Sequence, residues 1–149
     1  MTKDRLYLFD TTLRDGAQTA GIEFSLEDKI AICRLLEEMG VDYIEGGYPG
    51  ANPVDTAFFE QKRTNRATFT AFGMTKRAGR SAANDPGIQA LLNSEAEATC
   101  FVAKAWDHQV RTALDITPEE NRANLRETVA AAVAAGKEAL VDLEHFFDG

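Results

Sequence analysis

Histidine and cysteine are scarce here, with two of each in 149 residues. Cys33 and Cys100 stand far apart inside apolar patterns, with no CxxC or other metal-binding spacing, which predicts buried thiols in a reducing compartment. No run approaches the ~20 consecutive apolar residues of a membrane span. The opening MTKDRLYLFD has no long apolar stretch behind its charges, as a secretory leader would. A cytoplasmic protein without a membrane partner is the expectation. Basic residues are the minority, 16 Lys and Arg against 24 Asp and Glu, for a net charge of -8. Such a surface repels phosphate backbones and acidic lipids, so no nucleic-acid partner is expected, while a local basic pocket can still hold a small anion. A glycine-rich nucleotide loop is missing too. No GxGxxG follows the first strand-like run, and a dinucleotide fold has no positive support.

What is there is one domain's worth of globular sequence, 44% hydrophobic and 27% charged. Short runs rich in aromatic and branched residues read as buried parallel strands: Leu6–Phe9, Tyr43–Glu45, Ala67–Phe72, Thr99–Ala103, and Ala139–Val141 extended toward Phe146. Four helices lie between them. Ser25 with Asp28 reads as a cap with an acid at the third helical position. Asn52-Pro53, Asp85-Pro86 and Thr117-Pro118 each set a capping side chain before a proline at the first helical position. The first helix carries Leu26, Ile30, Cys33 and Leu36 on one stripe and stops at Gly40. The last carries Leu125, Val129, Ala132 and Val133 and stops at Gly136. The order β-α-β-α-β-α-β-α-β is that of an α/β protein, and alternation alone fits a doubly wound sheet or a barrel.

In parallel α/β folds the site lies at the carboxyl ends of the strands. Those ends are charged: Asp10 to Asp15 after the first strand, Glu45 after the second, Lys104 after the fourth, Asp142 and Glu144 in the fifth. Each alone reads first as a solvated strand end. Charges at four of five ends predict a lined cavity, and acids beside an arginine and a lysine suit a hard cation together with an anionic substrate. Arg14 and Asp15, taken alone, also fit a surface ion pair.

The segment Asp10-Thr11-Thr12-Leu13-Arg14-Asp15-Gly16-Ala17-Gln18 resembles the first-strand signature of the DRE-TIM metallolyases. That superfamily includes the 2-isopropylmalate, homocitrate and citramalate synthases and the hydroxymethylglutaryl-CoA lyases. Val41 to Pro53, Lys104 to Asp107, and Glu144 to Gly149 are similar to later segments of the citramalate synthase branch, so the likeness runs over essentially the whole chain. The resemblance implies a (β/α)8 TIM barrel, here its first five strands and four helices. It implies an acyltransferase condensing acetyl-CoA with a 2-keto acid, pyruvate before other keto acids, in branched-chain amino-acid biosynthesis. The alternatives are the isopropylmalate and homocitrate reactions, acyl-CoA cleavage, or an inactive piece of a barrel.

The same resemblance assigns roles. Asp15 becomes a ligand of a divalent metal ion (Mg, Mn or Zn), and Arg14 the catalytic partner of the developing oxyanion. Glu144 becomes a second catalytic candidate, for holding substrate or handling a proton. Gln18, Glu45 and Lys104 join Arg14 in the substrate pocket, with Thr12 a weaker candidate. The family completes its metal site with a His-x-His pair from a seventh strand, and neither His108 nor His145 has that spacing. A homo-oligomer is expected.

Overall fold

The computed structural model describes residues 5–61 and 66–149; residues 1–4, part of the leader reading, lie outside the described residues. Five strands form one parallel sheet: β1 Phe9–Asp10, β2 Tyr43–Gly47, β3 Thr68–Met74, β4 Ala98–Lys104 and β5 Glu138–Glu144. Their order in the sheet is β1-β2-β3-β4-β5. A doubly wound sheet reverses direction at a switch point, whereas a barrel adds each strand to the same side of the last. The unbroken order decides for the barrel type. The chain forms the first five strands of one.

Five helices accompany the strands: α1 Leu26–Glu38, α2 Pro53–Phe59, α3 Pro86–Leu92, α4 Asp107–Ala113 and α5 Pro118–Ala134. The four expected starts form as read. Ser25 and Asp28 make a reciprocal capping box, and the side chains of Asn52, Asp85 and Thr117 accept from backbone N–H groups of α2, α3 and α5. Gly40 and Gly136 both take positive φ just past the ends of α1 and α5. The short α4 is not one of the four helices marked by a cap, although it places His108 at a helix start. Its cap position is Trp106, which offers no side-chain hydrogen bond, so it lacks the signal that marks the others.

Ile44, Phe69, Ala71 and Phe101 project from β2, β3 and β4 into a core with Cys33 and Leu36 of α1, Phe58 and Phe59 of α2, and Leu91 of α3. The side-chain alternation of a strand sends their neighbours, Glu45, Phe72 and Cys100, to the opposite face. That is the face on which the site is built.

Two expected details differ. The first strand is shorter than Leu6–Phe9, because the Asp42 carboxylate accepts the Leu8 N–H at 2.9 Å in place of a ladder partner. Leu6 and Leu8 are exposed. On α5 the buried stripe is Asn121, Asn124, Thr128 and Ala132, and Val133 is exposed instead of buried. The polar members are all engaged: Asn121 donates to the Lys104 carbonyl, Asn124 accepts from Lys76, and Thr128 accepts the Lys76 N–H. Asn121 and Thr128 bind backbone at and just past the ends of β4 and β3, Asn124 binds the Lys76 ammonium, and the stripe they occupy leaves Leu125, Val129 and Val133 less buried beside it.

Candidate functional site

The segment after β1 turns tightly. The backbone N–H groups of Arg14, Asp15 and Gly16 all point to the Thr11 carbonyl, at 3.1, 2.7 and 3.2 Å. Leu13 is fully buried by this turn, which leaves Arg14 facing across the sheet. Three neighbours fix its guanidinium. Nε donates to Glu45 Oε2 at 2.6 Å, Nη1 donates to Asp15 Oδ1 at 2.9 Å, and the group lies 4.0 Å from the centre of the Phe72 ring. No acceptor among the described residues engages its Nη2. A rigid cation with an open donor edge is suited to meeting an oxygen that gains negative charge.

Glu45 is 1% exposed, and a register shift in β2 between Glu45 and Gly47 aims it. The shift needs glycine on both following positions. A Cβ on Gly46 would lie 2.4 Å from the Phe69 ring, and one on Gly47, whose φ is +147°, would lie 2.5 Å from the Asp55 carboxyl carbon. Burial pushes the Glu45 carboxyl above its usual range. The Arg14 guanidinium and a hydrogen bond with the Cys100 thiol oppose the rise, and Asp142 adds to it. The Cys100 thiol in turn is pushed up to about 12, first by burial and then by the charges of Glu45 and Asp142. At neutral pH it is a thiol and not a thiolate.

Beside Arg14 opens a cavity of about 490 Å³ whose walls include Arg14, Gln18, Phe24, Tyr48, Asn52 and Phe72. Arg14, Asp15, Gln18 and Glu45 are thus brought together. Lys104 and Glu144 form their own ion pair at the ends of β4 and β5. No hydrogen bond or ion pair among the described residues joins that pair to Arg14. Thr12 donates to the Asp10 carboxylate through both its N–H and its hydroxyl, the behaviour of a turn residue.

His108 lies in the first turn of α4 and His145 follows β5 in the left-handed region, φ +58°. Both rings stand near Trp106, at 4.8 and 6.0 Å between centroids. Among the described residues no group of three or more His, Cys, Asp or Glu is placed to hold a metal ion. Asp15, 60% exposed at its side chain, offers one open carboxylate. These residues alone do not make a coordination shell.

Three residues of the site carried no motif. Phe72 is the platform under Arg14, Cys100 bonds Glu45, and Lys29 lies buried beneath the turn. Lys29 had a legible signal, since it stands four residues before Cys33 and seven before Leu36, on the buried stripe of α1.

Residues 5–148 match the HMGL-like family. The chain belongs to that family. An (R)-citramalate synthase of Streptomyces coelicolor is 49% identical over 98% of the chain and 28% of its own length, and one of Aquifex aeolicus is 44% identical over the same shares. A 2-isopropylmalate synthase of Nitrosomonas eutropha is 35% identical over 78% of the chain. The crystal structure of a Bacillus subtilis HMG-CoA lyase superposes with a TM-score of 0.71 at 20% identity, covering 93% of the chain and 46% of that protein, which supports the barrel fold. This HMGL-like chain spans about 28% of the length of the citramalate synthases it matches. Among its described residues no helix is long and apolar enough to cross a membrane.

Proposed function

We propose that the protein carrying this chain condenses acetyl-CoA with pyruvate to give citramalate and free CoA. The observation that carries the proposal is the similarity to (R)-citramalate synthases along nearly the entire chain, at 39–49% identity. The site geometry supports it. In such a condensation the acetyl methyl group gives up a proton, and its carbon attacks the keto carbon. The carbonyl oxygen takes up the electron pair and then a proton, and water cleaves the thioester to a carboxylate and the CoA thiol. Arg14 offers its open Nη2 edge to that oxygen. Because Glu45, Asp15 and Phe72 already hold the guanidinium, little reorganisation is needed as the charge grows.

In this reading Asp15 would supply one ligand of a divalent cation, which when bound would polarise the keto carbonyl. Gln18, on the cavity wall, binds the keto acid, and Glu45 holds Arg14. Glu144 handles a proton or holds substrate, with Lys104 as its partner. Thiol release from acetyl-CoA by the full-length protein tests the proposal. Pyruvate should support it best. A preference for 2-ketoisovalerate or 2-ketoglutarate would replace citramalate with the isopropylmalate or homocitrate reaction. Cleavage of hydroxymethylglutaryl-CoA without condensation would overturn the synthase assignment.

A further inference from the structure

We infer that Lys29 is a positioning residue that holds Arg14 and Glu45 in register with each other. Lys29 is 3% exposed, and its ammonium donates to three acceptors: the Leu13 carbonyl at 2.9 Å, the Gly46 carbonyl at 2.9 Å, and the Asp55 carboxylate. Leu13 precedes Arg14 directly, and Gly46 follows Glu45 directly. One cation therefore ties together the two stretches of backbone from which the paired side chains project. Asp55 extends the tie. Its second oxygen accepts the Tyr48 N–H at 2.8 Å, and its own N–H donates to the α2 cap Asn52 at 2.7 Å.

An ammonium has three donors, and here all three are taken by protein acceptors. Lys29 lies along the cavity beside Arg14, yet has no donor left for a ligand, so it acts through its neighbours. Stability is a poor reason for such a group, because desolvating an ion pair offsets much of its attraction and apolar replacements often do as well. Geometry is the better reason. The Arg14–Glu45 contact is made by residues 31 positions apart on two segments, and β1 is only two residues long. Its few ladder bonds are a weak guide for a side chain that has to be placed within fractions of an ångström.

The inference rests on the oxyanion role proposed for Arg14, and its test separates the two. In the full-length protein Lys29→Met should lower kcat on the order of 10²-fold, as small displacements of a catalytic group do, while KM for the keto acid changes little. In an Arg14→Ala background the same substitution should add almost nothing, because the group it positions is gone. Lys29→Gln, which keeps an amide donor, should show the same split at smaller size. Leu36→Ala, seven residues along α1, should lower the melting temperature and keep kcat at temperatures well below it. Losses of Lys29 and Arg14 that multiply, or a Lys29→Met protein that melts earlier with kcat intact, would overturn the inference. If the unsubstituted protein releases no thiol, the functional proposal fails, and a crystal structure of Lys29→Met decides the inference alone. Arg14 and Glu45 parted beyond hydrogen-bonding distance upholds it, and an unmoved pair overturns it.

Discussion

Arg14 is held on an acid at each end and on a ring below, and this arrangement separates its binding from its catalytic contribution. An interaction that strengthens as charge develops acts on turnover more than on affinity. Arg14→Ala in the full-length protein should therefore lower kcat by ~10²–10³, the typical loss for one oxyanion donor, with a smaller change in keto-acid KM. Arg14→Lys should not restore it, because a compact ammonium on a flexible stem lacks the rigid planar fork that lets one group bond Glu45 and Asp15 and aim a further N–H at the oxygen. Steady-state kinetics check both, and an unchanged kcat would refute the role. Cys100 carries the opposite expectation. With its thiol pushed up to about 12, it should resist iodoacetamide at pH 8 in the folded protein and react after unfolding, as read by peptide mass spectrometry. Labelling at the rate of an exposed thiol would show that the Glu45–Cys100 contact is wrong. Arg14 and Asp15 were legible because their motif is contiguous and follows a strand. Phe72 and Cys100 were not, because their roles arise only when separate strands bring them against Arg14 and Glu45.

At the level of elements, side-chain caps explain why most of the architecture could be read. Four helix starts carry a capping side chain, three of them followed by proline, and all four form where the capping residues stand. The helix without a side-chain cap, α4, carries no such mark in the sequence. The stripe of α5 misleads for a different reason: apolar spacing predicts which face is buried only when polar side chains have no better claim, and Asn121 and Thr128 have one in backbone at the strand ends, Asn124 in the Lys76 ammonium. Asp85 lends itself to a test. Burial pushes its carboxyl up, but the N–H groups of Arg77, Ile88 and Gly87 together outweigh that and hold it below the usual range. Asp85→Ala should cost about 1 kcal/mol from the lost cap, within a range of about 0.5–2. A carboxyl lowered by folding contributes stability above its unfolded value and loses that contribution as pH falls through the folded one. The gap between unsubstituted protein and Asp85→Ala should thus be full at pH 7 and close below about pH 4, the ordinary aspartate range. Thermal unfolding across that range checks it, and a gap independent of pH would remove Asp85 from the account.

For the whole molecule, alternation of strands and helices left two sheets open, and only the pairing order chose between them. Register and neighbour order are properties of long-range pairing, to which local periodicity is blind. The chosen order also has a physical consequence. Five strands in sequence leave β1 and β5 each with one neighbour, and β5 is exposed along much of its length. Beside it Leu125, Val129 and Val133 of α5 line an open apolar groove with Val141. At the other edge Leu6, Tyr7 and Leu8 are more than half exposed. Unpaired edges and apolar faces of this kind drive association. A polypeptide of these 149 residues alone should therefore self-associate, a second copy covering the edge or the groove, and sedimentation at micromolar concentration should show species heavier than a monomer. The same polypeptide should bind Mg²⁺ or Mn²⁺ weakly in calorimetric titration, since among the described residues Asp15 belongs to no group of three or more His, Cys, Asp or Glu placed to hold a metal ion. A clean monomer would mean that the exposed faces are better solvated than their composition implies. Tight metal binding would mean that Asp15 recruits ligands this arrangement does not bring near it.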